Sequence, residues 1–293
     1  MKKLLFIFNP RSGKGQIKNK LMQIIDIFIK AGYEVEVHVT QCTLDAKEVV
    51  LKKGNQVDVI ACSGGDGTLN EIVSGMMGLS KKPLLGYIPT GTTNDFAASL
   101  KISKDLVTAA KKLTEGTPFS CDIGQFNDKY FAYVAAFGLF TELPYVTAQE
   151  VKNILGYQAY ILEGMKRLPN IKPYHMRVEA NGEQIEEDFV YGMVSNTTRV
   201  AGLKGLCDKD AKMDDGIFEV MLVKMPKNPL EVGDIASGIL FKDAKSEYIY
   251  RIKADSLRII SSIPVDWVLD GEFGGSNTEI VINNIQQAIS ILI

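Results

Sequence analysis

Ser63-Gly64-Gly65-Asp66-Gly67-Thr68 is the most informative stretch of this chain. An apolar, β-branched run at 57–62 precedes it and predicts a buried strand. Apolar residues at helical spacing follow at 69–76, so the stretch is expected to form a turn between a strand and a helix. Glycines let the backbone approach a ligand closely, and the unpaired N–H groups at the start of a helix favour an anion. The turn therefore predicts a binding site for nucleotide phosphate.

The carboxylate of Asp66 within this turn points to a metal ion. A carboxylate alone would repel phosphate, so Asp66 is interpreted as the ligand of a cation that lies between the two. Mg²⁺ prefers carboxylate, phosphate and water oxygens, and is the expected ion. The alternative is a plain glycine-rich turn in which Asp66 caps the following helix.

The first part of the chain alternates strands with helices. The spacing predicts strands at 4–8, 33–39, 57–62 and 84–88, with helices over about 17–29, 44–53 and 69–76. This rhythm predicts an α/β domain with a parallel sheet. Ligands of such sheets bind at the carboxyl ends of the strands, where the turns after Phe8, Cys62 and Ile88 would meet.

The rhythm changes after about residue 118, and local strand pairs take over. These pairs predict a second, mainly antiparallel β domain. The predicted domains are 1–120 and 121–285, with 286–293 returning to the first sheet, and a helical stretch over about 143–168 is interpreted as core. The strands are expected at 120–125, 130–136, 174–180, 189–195, 217–224, 247–253, 257–262, 265–269 and 279–283.

Composition bears on the partners of the protein and on the compartment in which it is expected. The net charge is -2 and no dense basic run occurs, so no nucleic-acid partner is expected. The four cysteines show no CxxC spacing, and Cys62 and Cys121 are expected to be buried, reduced thiols. No apolar stretch reaches membrane-spanning length, so a cytoplasmic protein with at most peripheral membrane contact is expected.

Four motifs together carry a family resemblance. They are Asn-Pro-Arg-Ser-Gly-Lys-Gly at 9–15, Gly-Gly-Asp-Gly-Thr-Leu-Asn-Glu at 64–71, Pro-Thr-Gly-Thr-Thr-Asn-Asp-Phe-Ala at 89–97, and Asp-Gly-Glu at 270–272. The glycine string alone also resembles NAD kinases and phosphofructokinases. With all four motifs in order, the chain resembles the bacterial diacylglycerol kinase and sphingosine kinase superfamily. That resemblance implies a two-domain, ATP-dependent lipid kinase with an NAD kinase-like N-terminal domain, which works at the membrane surface.

The resemblance also implies a set of nucleotide-binding residues. They lie in the loop after the first strand, after the second strand, in the glycine turn and in the turn after 84–88. Lys14 is either a phosphate partner or a solvated loop charge. The implied contacts are Asn9, Pro10, Arg11, Ser12, Gly13, Thr40, Gly65, Asp66, Gly67, Thr68, Leu69, Asn70, Glu71 and Thr92.

Two metal sites are implied in the same way. Asp66, Asp95 and Asp122 would form the catalytic Mg²⁺ network, partly through water. A structural Mg²⁺ would be held by the carbonyls of Lys212 and Ile217 with the carboxylate of Asp215. The alternatives are helix caps for Asp66 and Asp95, a solvated hairpin residue for Asp122, and a plain Asp-Gly turn before strand 217–224.

The Asp-Gly-Glu motif implies the catalytic pair. Glu272 would be the general base with Asp270 beside it, and the alternative is a solvated hairpin turn. The predicted function is phosphorylation by ATP of a lipid hydroxyl, with diacylglycerol favoured. Phosphorylation of a soluble acceptor such as NAD and a non-catalytic nucleotide-binding regulator are the alternatives. The expected partners are ATP and a lipid at the membrane surface, and a homodimer is left open.

Overall fold

The structure is a computed structural model, and it describes residues 1–139, 172–200, 210–240 and 246–293. The predicted helical stretch 143–168, Cys207 and the side chain of Lys14 lie outside this description. None of the helices in these ranges combines the length and the hydropathy that a bilayer-spanning helix requires.

The N-terminal part contains four parallel strands in the order β4-β3-β1-β2. The strands β1 and β3 are apolar and almost entirely buried, because helices cover both faces of the sheet. The edge strand β2 alternates charged and apolar residues instead. The strands are β1 (Lys2–Phe8), β2 (Tyr33–Val39), β3 (Val59–Gly64) and β4 (Leu84–Pro89). The helices are α1 (Leu21–Lys30), α2 (Asp45–Lys53), α3 (Asp66–Met77), α4 (Asp95–Ser99) and α5 (Leu106–Glu115).

The first helix begins later than predicted. Residues Ser12–Asn19 form 3₁₀ turns, and α1 starts only at Leu21. Gly13 and Gly15 have φ angles of 54° and 69°, which an α-helix cannot accommodate. Ile17, the predicted first residue of the helix, therefore lies in a 3₁₀ turn. Its side chain is buried nevertheless.

The remaining strands are mostly antiparallel, which confirms the prediction for the C-terminal region. Their inward faces form an aromatic core around Trp267, which packs on Phe126 and Phe137. The elements are β5 (Pro118–Phe126), β6 (Lys129–Phe131), β7 (Val134–Gly138), β8 (Tyr174–Ala180), β9 (Glu183–Ser195), β10 (Phe218–Lys224), α6 (Pro229–Leu240), β11 (Ile249–Ala254), β12 (Ser256–Leu269) and β13 (Glu272–Leu292).

Several boundaries differ from the predicted ones. The expected strand 130–136 is divided into β6 and β7, because its backbone bends around the side chain of Asp270. The expected strands 257–262 and 265–269 form one strand, and 279–283 belongs to the much longer β13. The helix α6 was not predicted, although Asn228-Pro229 before Glu231 is a helix-start signal: the Asn228 side chain accepts from the N–H of Leu230 at 3.0 Å.

Strand β13 joins the two parts of the described chain into one thirteen-stranded sheet. It pairs antiparallel with β12 and β5, and its end pairs parallel with β4 at Ile291 and Leu85. The predicted domain boundaries at 120 and 285 remain predictions. Cys62 and Cys121 are buried and unbonded, as expected, and burial raises the pKa of both thiols.

The end of β13 provides a test of this connection. Ile291 is fully buried, so Ile291→Ala should lower the free energy of unfolding by about 2–5 kcal/mol, the cost of a cavity in a close-packed core. Ile293→Ala is the matched control, because this neighbouring side chain is 37% exposed and should cost less than about 1 kcal/mol. Urea unfolding monitored by circular dichroism measures the free energy of unfolding of both variants. Equal effects of the two substitutions would contradict the pairing of β13 with β4.

Candidate functional site

The turns after β1, β3 and β4 meet at one edge of the sheet. The N–H of Asn9 donates to the carbonyl of Ser63 at 2.9 Å, and the N–H of Thr90 donates to the carbonyl of Gly64 at 2.9 Å. A Cβ on Gly65 would lie 3.3 Å from the Cα of Gly91. The three predicted phosphate turns are therefore in direct contact with one another.

Gly13 is needed for this close approach. Its φ is 54°, and a Cβ at this position would lie 1.6 Å from the carbonyl oxygen of Thr90. Any other residue would be strained and would also push the 9–15 loop away from the turn after β4. Asn9 holds the same loop from the other side, since its amide accepts from the N–H of Arg11 at 2.9 Å and donates to the Thr68 hydroxyl at 3.3 Å.

A cleft of about 1060 Å³ opens over these turns. Asp66 is not among its lining residues. It is the first residue of α3 and stands in the chain between the lining residues Gly65 and Gly67. Leu69 is fully buried, so it contributes to packing, and Thr92 is exposed. Among the predicted site residues, the cleft is lined by Asn9, Arg11, Ser12, Thr40, Gly65, Gly67, Thr68, Asn70, Glu71 and Glu272.

Asp66, which is partly buried, and the fully buried Asp95 repel each other electrostatically. One carboxylate oxygen of Asp66 accepts from the N–H of Asn94 at 3.0 Å, while the other oxygen is buried without a hydrogen-bond partner. Burial, followed by repulsion from Asp95 and Asp270, raises the pKa of Asp66 to about 7. Asp66 does not cap α3, because Gly65 occupies the N-cap position. An orphaned carboxylate oxygen beside a second buried carboxylate fits a divalent cation.

Asp122 is held by the backbone of two other segments. Its carboxylate accepts from the N–H of Gly216 and from the N–H of Gln287, each at 2.7 Å. Burial raises the pKa of Asp122, and the two hydrogen bonds oppose this shift. The negative charge of Asp215 raises the pKa further. The structure thus ties Asp122 to the 213–217 turn, and its predicted part in a catalytic metal network remains a prediction.

The 212–217 segment is a tight turn with Gly216 at a φ of 78°. The Asp215 carboxylate accepts from the N–H of Ile217 at 3.1 Å, and the carbonyl of Asp214 accepts from the Gln286 side chain at 3.4 Å. In the described ranges, no three His, Cys, Asp or Glu side chains cluster closely enough to hold a metal alone. Both predicted metal sites would therefore need carbonyl, phosphate or water oxygens in addition, as Mg²⁺ commonly does.

Asp270 and Gly271 form the two-residue turn between β12 and β13. Their φ angles are 50° and 93°, as a type I′ hairpin requires, and Leu269 pairs with Glu272 across the turn. The predicted alternative of a hairpin turn is therefore correct as a description of the backbone. The turn nevertheless faces the cleft, because Leu269 and Glu272 both line it.

The Asp270 carboxylate accepts four hydrogen bonds. The Asn70 amide donates at 2.7 Å, and the backbone N–H groups of Ala132, Tyr133 and Val134 donate at 2.6, 3.0 and 3.1 Å. Burial raises its pKa, and these donors oppose the shift. With all four donors engaged, this carboxylate acts as a positioning group that fixes the turn in front of Glu272.

Glu272 lies over the phosphate turn. One of its carboxylate oxygens is 2.9 Å from the position that a Cβ on Gly67 would occupy, so a larger residue at that position would displace the Glu272 carboxylate. The charge of Glu272 also contributes to the raised pKa of Glu71, after burial and Asp45. This carboxylate is exposed to solvent at the cleft, where an incoming acceptor can reach it.

Glu71 has a role that the sequence did not indicate. Its two carboxylate oxygens accept from the N–H groups of Leu44 at 2.9 Å and Ala46 at 3.2 Å, at the start of α2. Leu44 is in a left-handed conformation with a φ of 68°, so no side chain of its own segment caps the helix. Glu71 therefore caps α2 from α3 and holds the cleft wall that begins at Thr40.

Asn94 is a site residue that sequence reasoning missed. It adopts a φ of 52°, its amide oxygen accepts from the N–H of Gly91 at 2.9 Å, and its backbone N–H donates to Asp66. The hydroxyl of Tyr87 donates to the same amide oxygen at 3.3 Å. The asparagine within the 89–97 motif was the available signal, because asparagine tolerates left-handed turns.

Known proteins resemble this chain over almost its whole length. Residues 3–126 match the family model described as the diacylglycerol kinase catalytic domain. The chain is 36% identical to a Bacillus subtilis (strain 168) diacylglycerol kinase, over 94% of this chain and 91% of that protein. It is 35% identical to one from Staphylococcus aureus (strain bovine RF122 / ET3-1), over 94% and 87%. A solved diacylglycerol kinase from Bacillus anthracis str. Sterne superimposes with a TM-score of 0.82 at 25% identity, over 99% and 96%. The chain belongs to the diacylglycerol kinase family.

Proposed function

We propose that this protein transfers the γ-phosphoryl group of ATP to the hydroxyl of diacylglycerol or a closely related lipid, to give a phosphatidic acid-type product. The observation that carries the proposal is the position of the Glu272 carboxylate, 2.9 Å from where a Cβ on Gly67 would stand in the phosphate turn. A base opposite a phosphate-binding backbone is what transfer to a hydroxyl requires. The names of the relatives support a lipid acceptor.

The nucleotide lies in the cleft, with its phosphates over the three turns. The N–H groups at the start of α3 are unpaired within the helix and favour an anion there. Gly65 and Gly67 let the phosphates approach the backbone, and Ser12 and Thr68 add hydroxyl groups on the cleft wall. Thr40 and Glu71 hold the wall on the side of α2, as the hydrogen bonds of Glu71 to that helix indicate.

Asp66, Asp95 and Asp122 would hold the catalytic Mg²⁺, partly through water. The buried Asp66 oxygen without a partner supports this role. Bound Mg²⁺ neutralises charge on the nucleotide phosphates, which is the main electrostatic requirement of phosphoryl transfer. The carbonyls of Lys212 and Ile217 with Asp215 hold a second, structural cation, and the tight turn around Gly216 supports this assignment.

Glu272 accepts the proton of the lipid hydroxyl as the hydroxyl oxygen attacks the γ-phosphorus of ATP, while the bond from that phosphorus to the β-phosphate oxygen breaks and ADP leaves. Asp270 holds the hairpin turn through its four hydrogen bonds, so Glu272 keeps its position over Gly67. The acceptor resides in a bilayer, so the protein acts on it as a cytoplasmic protein at the inner face of the membrane. A non-catalytic regulator would need no such base, and nothing in the comparisons favours an NAD kinase.

A panel of acceptors tests the proposed function. Radiolabelled ATP with Mg²⁺ should label diacylglycerol in mixed micelles far above ceramide, sphingosine, monoacylglycerol, undecaprenol or NAD. Thin-layer chromatography identifies the labelled product as a phosphatidic acid. Labelling of NAD with no labelled lipid would overturn the proposal in favour of the soluble-acceptor alternative.

Substitution of the base tests the mechanism. Glu272→Gln keeps the shape of the side chain but cannot take a proton, so turnover should fall by about 10²-fold or more while ATP affinity stays near that of the wild type. Glu279→Gln is the matched control, since Glu279 lies on the same strand, bonds Arg258 and does not line the cleft. Steady-state kinetics and calorimetric ATP binding measure the two effects. Retained turnover in Glu272→Gln would exclude Glu272 as the base.

The pH dependence of stability tests the buried acidic pair. Without metal, folding raises the pKa of Asp66 from 3.8 to about 7, so the folded state binds more protons between these values. Stability is therefore expected to fall as pH rises through this window. Asp66→Asn should raise the melting temperature of the metal-free protein at pH 8, with a smaller gain at pH 5, and should weaken the stabilisation by Mg²⁺ at pH 8.

Asp215→Ala is the companion variant in the same Mg²⁺ titration. It should lower the melting temperature at both pH values and reduce the response to Mg²⁺, because it removes a ligand of the structural cation and not of the catalytic one. A melting response to Mg²⁺ equal to that of the wild type would exclude the structural site. Asp66→Asn with a lower metal-free melting temperature at pH 8 would contradict the raised pKa of Asp66.

A further inference from the structure

Phe273 is an exposed aromatic residue directly beside the proposed base. It is 68% exposed, and it lines the same cleft as Glu272. Single exposed apolar side chains are common on protein surfaces and need no explanation. The position of this side chain, next to the proposed base Glu272, does need an explanation.

A bulge interrupts strand β13 directly after Glu272 and Phe273, both of which line the cleft. Val268 pairs with Phe273, but Trp267, the residue before Val268 on β12, pairs with Gly275. Gly274 therefore has no partner on β12 and is an extra residue in β13. Bulges of this kind change the direction of a side chain and are frequent next to active sites.

Two contacts and one backbone angle define the conformation of this bulge. A Cβ on Gly274 would lie 2.7 Å from the Cγ of Leu269, so the extra residue must be small. Gly275 has a φ of 113°, which a residue with a side chain rarely adopts. The ammonium group of Lys129, itself in the cleft wall, donates to the Gly274 carbonyl at 2.7 Å.

The geometry of phosphoryl transfer decides which substrate meets Phe273. The attacking and leaving oxygens lie roughly in line on opposite sides of the transferred phosphorus. Glu272 must contact the attacking hydroxyl, so its surroundings belong to the acceptor, and the nucleoside lies beyond the phosphates on the other side. Phe273 follows Glu272 directly in the chain and lines the same cleft, which brings its exposed ring near the place where the acceptor would lie.

We propose that Phe273 is a specificity-determining residue that contacts the acylated glycerol part of the lipid acceptor. This inference rests on the proposed function, since it requires a lipid hydroxyl at Glu272. The apolar part of an acylated glycerol begins within a few bonds of the free hydroxyl, whereas a small polar acceptor offers nothing to cover the ring. Phe273 therefore favours acceptors that carry acyl chains next to the reacting hydroxyl.

The test is acceptor kinetics of Phe273→Ala in mixed micelles. Loss of the aromatic contact should raise the KM for dioleoylglycerol about ten-fold, while the KM for ATP stays unchanged. The loss should be smaller for monooleoylglycerol, because that acceptor covers less of the ring. Phe273→Leu should restore most of the affinity, since an apolar side chain of similar reach remains. Leu230→Ala, which removes an apolar side chain that is 82% exposed and does not line the cleft, is the matched control.

The outcomes separate this inference from the proposed function. A wild-type protein that phosphorylates no lipid refutes the proposed function itself. An active wild type together with unchanged dioleoylglycerol KM in Phe273→Ala refutes only the inference. A raised KM for ATP in that variant would place the nucleobase at Phe273 and overturn the proposal. A fall in kcat alone, with both KM values unchanged and no rescue by Phe273→Leu, would mean that Phe273 only supports the bulge.

Discussion

The candidate site depends on one buried carboxylate, that of Asp270. Its four hydrogen-bond donors come from α3, through Asn70, and from three consecutive backbone N–H groups between β6 and β7. A single side chain thus joins α3, a strand bend and the hairpin that carries Glu272. Removing one partner from such a network leaves buried donors unpaired, which costs about 1–3 kcal/mol for each group. The geometry between base and phosphate turn is therefore a property of the fold and not of a loop.

Asp66 shows the opposite situation, a carboxylate that the metal-free fold does not satisfy. One of its oxygens is buried without a partner, and Asp95 is the acidic residue that raises its pKa most. This unpaired oxygen lowers the stability of the folded protein, as unfavourable groups at functional sites commonly do. The contrast between the two aspartates also separates their roles, because Asp270 is already saturated by the protein while Asp66 still lacks a counter-charge.

The sequence predicted the elements near the phosphate turns well, because local signals determine them. The glycine turn around Asp66 and the parallel strand rhythm are both encoded within a few residues. The roles of Asp270 and Glu71 could not be predicted, since their partners lie 136 to 200 and 25 to 27 residues away and include backbone N–H groups, which leave no trace in side-chain patterns. The bulge at Gly274 was equally hidden, because it depends on the register against β12.

The position of β13 in the sheet has a consequence for the order of folding. Strand β4 is paired with β3 on one side, and on the other side its partner is the end of β13, at Ile291. During synthesis, the first four strands are complete roughly two hundred residues before that partner leaves the ribosome. The nascent chain therefore carries an open, apolar strand edge throughout most of translation, which is the kind of surface that chaperones bind and that otherwise aggregates.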